Sequence, residues 1–175
     1  MSQRESGYER KERDLYETPA WVTEALIPHL PITKSTVFEP AAGGGKMVDA
    51  LVKSGFDVVS SDIETGRDFL AEPLPMPICA IITNPPYILA REFIEYAIKL
   101  MQPSNGLVAM LLRTNFDHAK TQACLFSECS AFAKKVVLRK RIKWFEDSKG
   151  QPSFNHAWFI WDWKNQGLPT LAYGP

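Results

Sequence analysis

Cysteine is scarce in this chain: Cys79, Cys124 and Cys129 are the only three, they form no CxxC pair, and any pairing leaves one over. That excludes a disulfide-stapled scaffold and a cysteine-based metal site. Cys79 falls inside an apolar run, where it is expected to act as a small hydrophobe. No apolar run approaches the roughly 18 residues of a membrane span, and the opening "MSQRESGYERKERD" has no apolar signal region. Net charge is missing too, since 20 basic residues balance 20 acidic ones, so any affinity for a polyanion must be local. Neither GxGxxG nor a Walker loop is present, because Lys46 precedes Met47 where magnesium would need a hydroxyl. These absences point to a soluble, cytoplasmic protein with no metal and no membrane contact.

What remains is ample for one domain of 175 residues. Residues 1–14 alternate acid and base with little to bury and are expected to form a flexible charged arm; 15–175 would be one domain. "YETPAWVTEALIPHL" predicts a helix over 19–28, with Thr18 as N-cap and Pro19 at the first helical position. Apolar runs at 35–40, 56–63, 78–84 and 106–113 read as strands, and 45–55 and 90–101 as helices, the latter with Phe93, Ile94, Ala97 and Met101 on one face. A further helix is expected over 118–133. "KKVVLRKRIKWF" and "NHAWFIWDW", joined by about ten turn-rich residues, read as a hairpin on the sheet edge whose last strand ends near Trp163. Nearly continuous apolar strands suit a sheet covered on both faces, so the expected class is α/β, doubly wound and mostly parallel, with a C-terminal antiparallel hairpin.

Two stretches carry chemistry. In "FEPAAGGGKM" (38–47) three glycines let the backbone turn sharply between a strand and a helix and approach a ligand closely. About 20 residues further on, the second strand ends in "SSDI", which sets Asp62 at the carboxyl edge of the sheet, where an acid bonds the ribose of a nucleoside cofactor. The other is "TNPPYIL" (83–89), an apolar strand that ends on an asparagine and two prolines, residues unable to donate to a sheet ladder.

Together "FEPAAGGG", "DI" and "NPPY" resemble the S-adenosylmethionine-dependent amino-methyltransferases, specifically the adenine-N6 branch. With "YETP" ahead of them at 16–19, the motif order is similar to the gamma arrangement, over roughly residues 14–163. The resemblance implies a seven-stranded Rossmann-like sheet and S-adenosyl-L-methionine as cofactor. It places Tyr16, Thr18, Pro19, Glu39, Ala41 and Gly43 at the methionine end, and Asp62 and Ile63 at the ribose and adenine. In "GRDFL" it sets Asp68 on the adenine amino group and Phe69 against the ring. Only Glu64 to Arg67 separate the second strand from "DFL", so the family's usual helix has no room and its third strand is expected to be short or absent.

The chemistry explains the broken strand. An exocyclic amine on adenine is a poor nucleophile because its lone pair is delocalised into the ring. Two acceptors aimed at the amine hydrogens, the Asn84 side-chain oxygen and the Pro85 carbonyl, would localise it, with Asn84 orienting rather than acting as a base. Pro85 and Pro86 stiffen the turn and remove competing donors. Tyr87 offers a stacking face worth roughly 1 to 3 kcal/mol to a base, and such a base must leave its duplex, or already be unpaired, to reach the pocket. "PSFNHAW" resembles the family's late motif and nominates Phe154 as the second wall, with Trp144 and Phe145 as competitors. His156 reads as a hydrogen-bonded structural residue.

From 134 to 143 the chain holds six basic residues and no acid. Beside an adenine pocket, Lys140, Arg141 and Lys143 become phosphate contacts. No separate target-recognition domain is expected after Trp163, so selectivity would fall to the 144–154 loop or to a second subunit, whether another copy or a partner, or be low, an economy that suits a phage or prophage enzyme. The expected reaction is methylation of adenine N6 in DNA. Its rivals are the same chemistry on RNA adenine or a protein glutamine, and a catalytically silent nucleic-acid-binding fold.

Overall fold

The computed structural model describes residues 16–144 and 154–175. The 1–14 arm and most of the 144–154 loop, Phe145 included, lie outside the described residues. Seven strands form one sheet in the order β2-β1-β3-β4-β6-β5-β7. They are β1 (Thr36–Glu39), β2 (Asp57–Ser60), β3 (Ala80–Thr83), β4 (Leu107–Arg113), β5 (Phe132–Val137), β6 (His156–Asp162) and β7 (Thr170–Tyr173). The first four pair parallel, β6 runs antiparallel to both β4 and β5, and β7 rejoins parallel to β5.

Burial on both faces explains the unbroken apolar strands. In β4 the alternation of side chains sends Leu107, Ala109 and Leu111 into a cluster with Val22, Leu26, Met47 and Leu51, and Val108, Met110 and Leu112 into one with Phe93, Ile94 and Trp161. The first cluster is covered by α1 (Ala20–Glu24) and α2 (Lys46–Lys53), the second by α3 (Ala90–Met101). The expected face of α3 is the buried one: Phe93, Ile94, Ala97 and Met101 all lie in the core. Tryptophans of β6 and its exit pin the covering layers, donating indole N–H bonds from Trp158 to the Val22 carbonyl, from Trp161 to Leu125 and from Trp163 to Ile98.

Several elements differ from expectation. The first helix is a single short turn, followed by a 3-10 turn over Ile27–His29 that carries Pro28; Pro19 is its N-cap residue, and Thr18 makes no capping bond but is buried. No α-helix forms over 118–133. Two 3-10 turns, Phe116–His118 and Lys120–Leu125, take its place, because Phe126 turns into the core against Phe132, Phe159 and Trp161 while the Leu125 carbonyl accepts from Trp161. The basic strand stops at Val137, after which Leu138 and Ile142 bury themselves and draw the chain off the sheet. Cys79 is exposed, one residue before β3 begins. Between β2 and β3 the chain makes only a 3-10 turn over Ile63–Thr65 and irregular backbone, so the family's third strand is absent and β2 is the edge. The seventh strand comes instead from the C-terminal tail, beyond the point where the hairpin was expected to be last.

Candidate active site

The chain leaves β1 toward β2 on one side through α2, then returns to β3 on the other side of β1. At such a reversal the loops part beyond the carboxyl ends of the strands and leave a crevice. A cleft of about 240 Å³ occupies this place. It is lined by Tyr16, Thr18, Glu39, Ala41 and Gly43, by Asp62, Ile63, Asp68 and Phe69, and by Asn84 and Pro86. Of the sequence-nominated cofactor residues only Pro19 is not in its wall. Pro85 and Tyr87 are also not in the lining, and neither are Phe154, Lys140, Arg141 and Lys143.

The Gly-rich turn is shaped by two of its glycines. Gly45 caps α2 at φ 86°, a left-handed conformation that costs glycine least, and any Cβ on Gly44 would collide with the Glu17 carboxylate. That carboxylate also pairs with Lys46 at 2.9 Å, so the residue preceding Thr18 closes on the start of α2. Asp62 holds the turn from the other side: one oxygen accepts from the Gly43 amide at 2.9 Å, the other from the Glu64 amide. Asp68 is exposed, and its carboxylate accepts from the Leu70 amide. Phe69 is buried among Phe38, Phe93 and Tyr96, with part of its surface on the cleft.

Glu39 is the most perturbed group in the wall. Complete burial pushes its carboxyl up to about 8, against the pull of hydrogen bonds from the Thr83 hydroxyl at 2.6 Å and the Ala41 amide at 3.0 Å, and the Asp62 charge adds to the rise. Both bonds fall on one oxygen; the second, Oε2, is buried and has no partner among the described residues.

Asn84 repeats that arrangement. Its amide nitrogen donates to the Tyr16 carbonyl at 3.2 Å, which sets the oxygen pointing away, and Oδ1 is buried without a partner among the described residues. An unmet acceptor costs stability, so such a group is a candidate to receive a donor from a ligand.

Tyr87 follows Asn84 in the same turn. The Tyr87 ring lies 6.1 Å from Tyr16, 6.5 Å from Trp144 and 6.0 Å from His156, and its hydroxyl shares a 3.0 Å hydrogen bond with the His156 imidazole. Burial first and the Arg113 charge second push His156 down to about 4, so the imidazole is neutral at physiological pH. Phe154 lies under the guanidinium of Arg113, 3.9 Å from its ring centre, and the same guanidinium is 5.5 Å from the Tyr87 ring. Arg113 went unnoticed in the sequence, although a cation ending an otherwise apolar strand at this sheet edge was its visible sign. Thr83, whose hydroxyl orients Glu39, had no such sign.

Much of the basic run is engaged within the protein. Lys134 donates to the His29 carbonyl, Lys135 to Thr114 and Asp117, and Arg139 to Gly174. Lys140, Arg141 and Lys143 are exposed; Lys140 sits 4.9 Å over the Trp21 ring, and Arg141 donates to Asn155. Among the described residues no group of three His, Cys, Asp or Glu side chains is placed to hold a metal ion, and no helix is long and apolar enough to cross a membrane.

This sheet with its crevice is a Rossmann-like methyltransferase fold. No protein-family model and no curated protein matches the sequence. Solved structures do match by fold. One is the methyltransferase subunit of a type I restriction-modification system from Streptococcus thermophilus, at 13% identity and a TM-score of 0.62, covering 87% of this chain and 46% of that one. A TehB-like S-adenosylmethionine-dependent methyltransferase from Corynebacterium glutamicum matches at 12% identity and 0.53, over 83% and 88%. The 23S rRNA methyltransferase ErmE matches at 15% identity and 0.52, over 89% and 71%. The chain spans about half the length of the restriction-modification subunit.

Proposed function

We propose that this chain transfers a methyl group from S-adenosyl-L-methionine to N6 of an adenine in DNA, held at Asn84. The observation that carries the reading is the Asn84 amide: tied by its nitrogen to the Tyr16 carbonyl, it keeps a buried oxygen unmatched at the edge of the cleft. An amine hydrogen satisfies that oxygen, and the Pro85 carbonyl is the second acceptor in the same turn. Drawing on both hydrogens, they localise the nitrogen lone pair without removing a proton beforehand, so the nucleophile is made by orientation alone and the surplus proton leaves the nitrogen for water once it has been methylated.

The cleft suits the cofactor in its donor set. Glu39 offers a buried, unmatched carboxylate oxygen to an ammonium group, and Asp62 a carboxylate at the end of the neighbouring strand to a diol. Tyr16, Thr18, Ala41 and Gly43 would line its amino-acid end, Ile63, Asp68 and Phe69 its adenine. When bound, the cofactor supplies an electrophilic methyl group on a sulfonium. Tyr87 and Phe154 are the walls for the target base, Pro86 its floor, and exposed Lys140, Arg141 and Lys143 the contacts to phosphate. The partner on this reading is nucleic acid.

Transfer of labelled methyl to duplex DNA, single-stranded DNA, RNA and protein tests the substrate, with label in DNA expected at adenine N6 and label confined to RNA or protein excluding it. Asn84→Ala should cut kcat roughly 100-fold or more, with a far smaller loss of affinity for S-adenosyl-L-homocysteine. Undiminished methylation by that variant overturns the mechanism.

A further inference from the structure

Arg113 is the last residue of β4, paired in register with His156 on β6, at the sheet edge that also carries Asn84. Nothing in the proposed chemistry uses it, yet its guanidinium meets both rings assigned to the target base. Its guanidinium lies 3.9 Å from the centre of Phe154, stacking distance, and 5.5 Å from that of Tyr87. A guanidinium is flat, delocalised and weakly hydrated, and stacks on aromatic faces much as a base does. Its Nε–H is nevertheless buried with no acceptor among the described residues, a donor withdrawn from water and unrepaid. A cation placed for its own hydrogen bonds would not be left so; one held chiefly by ring stacking is free to be exchanged for another planar group.

We propose, on the reading that Tyr87 and Phe154 clasp the target adenine, that Arg113 is a placeholder: its guanidinium fills the target-base slot in the free protein and is displaced when the base enters. The slot is thereby kept from collapsing, and bases that stack poorly compete poorly with the resident cation. Arg113 is a specificity-determining residue in this scheme, and touches no reacting atom.

The test is calorimetric titration of 2′-deoxyadenosine, which carries no phosphate, into the full chain saturated with S-adenosyl-L-homocysteine. Arg113→Ala and Arg113→Met, the second of which keeps the apolar stem, should bind the nucleoside roughly fivefold to tenfold more tightly than wild type, the strength of one cation–π contact removed from the competition. A merely structural role would weaken binding or leave it alone, so a gain cannot come from damage to the fold. Equal or weaker nucleoside affinity in a folded Arg113→Met protein overturns the placeholder. If that protein's parent still methylates DNA, the adenine-site reading stands without it; if no nucleic acid accepts label, both fall together.

Discussion

The carboxyl of Glu39 couples the site to pH. Buried, it holds its proton up to about 8, whereas in the unfolded chain it would lose it near 4.5. The folded state therefore binds more protons across that interval, and stability falls as pH rises from 4.5 to about 8, then levels. Glu39→Gln should remove this slope, raising stability at pH 8 by no more than about 5 kcal/mol and changing it little at acid pH, which thermal melts across the range would measure. An ammonium group bound at Glu39 favours the carboxylate, so cofactor uptake below pH 8 should release a proton and affinity should rise with pH up to that point; calorimetry in buffers of different ionisation heat reads it directly. His156 runs the other way. Held near 4, it takes up protons only on unfolding, so stability is lost as pH falls from 6.5 toward 4. The sequence showed that Glu39 ends a strand before a glycine turn; its perturbation comes first from complete burial, which only the packed fold supplies, with the Thr83 hydroxyl opposing the rise and the Asp62 charge adding to it.

Among the elements, those with a full periodic pattern were readable. Helix α3 spans the expected twelve residues because its apolar face repeats every three or four positions, and β4 because its apolar run fits a strand covered on both sides. The segment 118–133 also has helical composition, but a helix of that kind is decided by packing, and here four aromatic partners claim Phe126. Phe126→Ala should therefore cost about 3 to 5 kcal/mol in urea denaturation, a core penalty at a position where a surface helix would have lost far less. The edge strand β7 was invisible for the opposite reason: four residues, largely exposed, have too little pattern to announce a strand, and only the waiting edge of β5 makes them one.

Over the whole molecule, charge balance supplies no net attraction for a polyanion, so the proposed binding of nucleic acid would depend on local cations such as Lys140 and Lys143, both exposed. Lys140→Ala with Lys143→Ala should lower affinity for an oligonucleotide and reduce the slope of its logarithm against log salt by about two, with affinity for S-adenosyl-L-homocysteine unaffected. A slope that does not change would remove these lysines from the interface. The candidate roles of Asp62 and Asn84 followed from short motifs at the ends of strands, where turn chemistry is local, and those of Tyr16 and Glu39 from the family resemblance that these motifs carry. Local pattern likewise determined the α/β class and most strand positions. Only the tertiary structure decided that these four residues share one cleft, since that requires the chain to go from β1 to one edge and return on the other side. It alone also set Arg113 against Phe154 and Tyr87, contacts between residues on separate elements that no sequence period links, brought together because β4 and β6 pair along their full length.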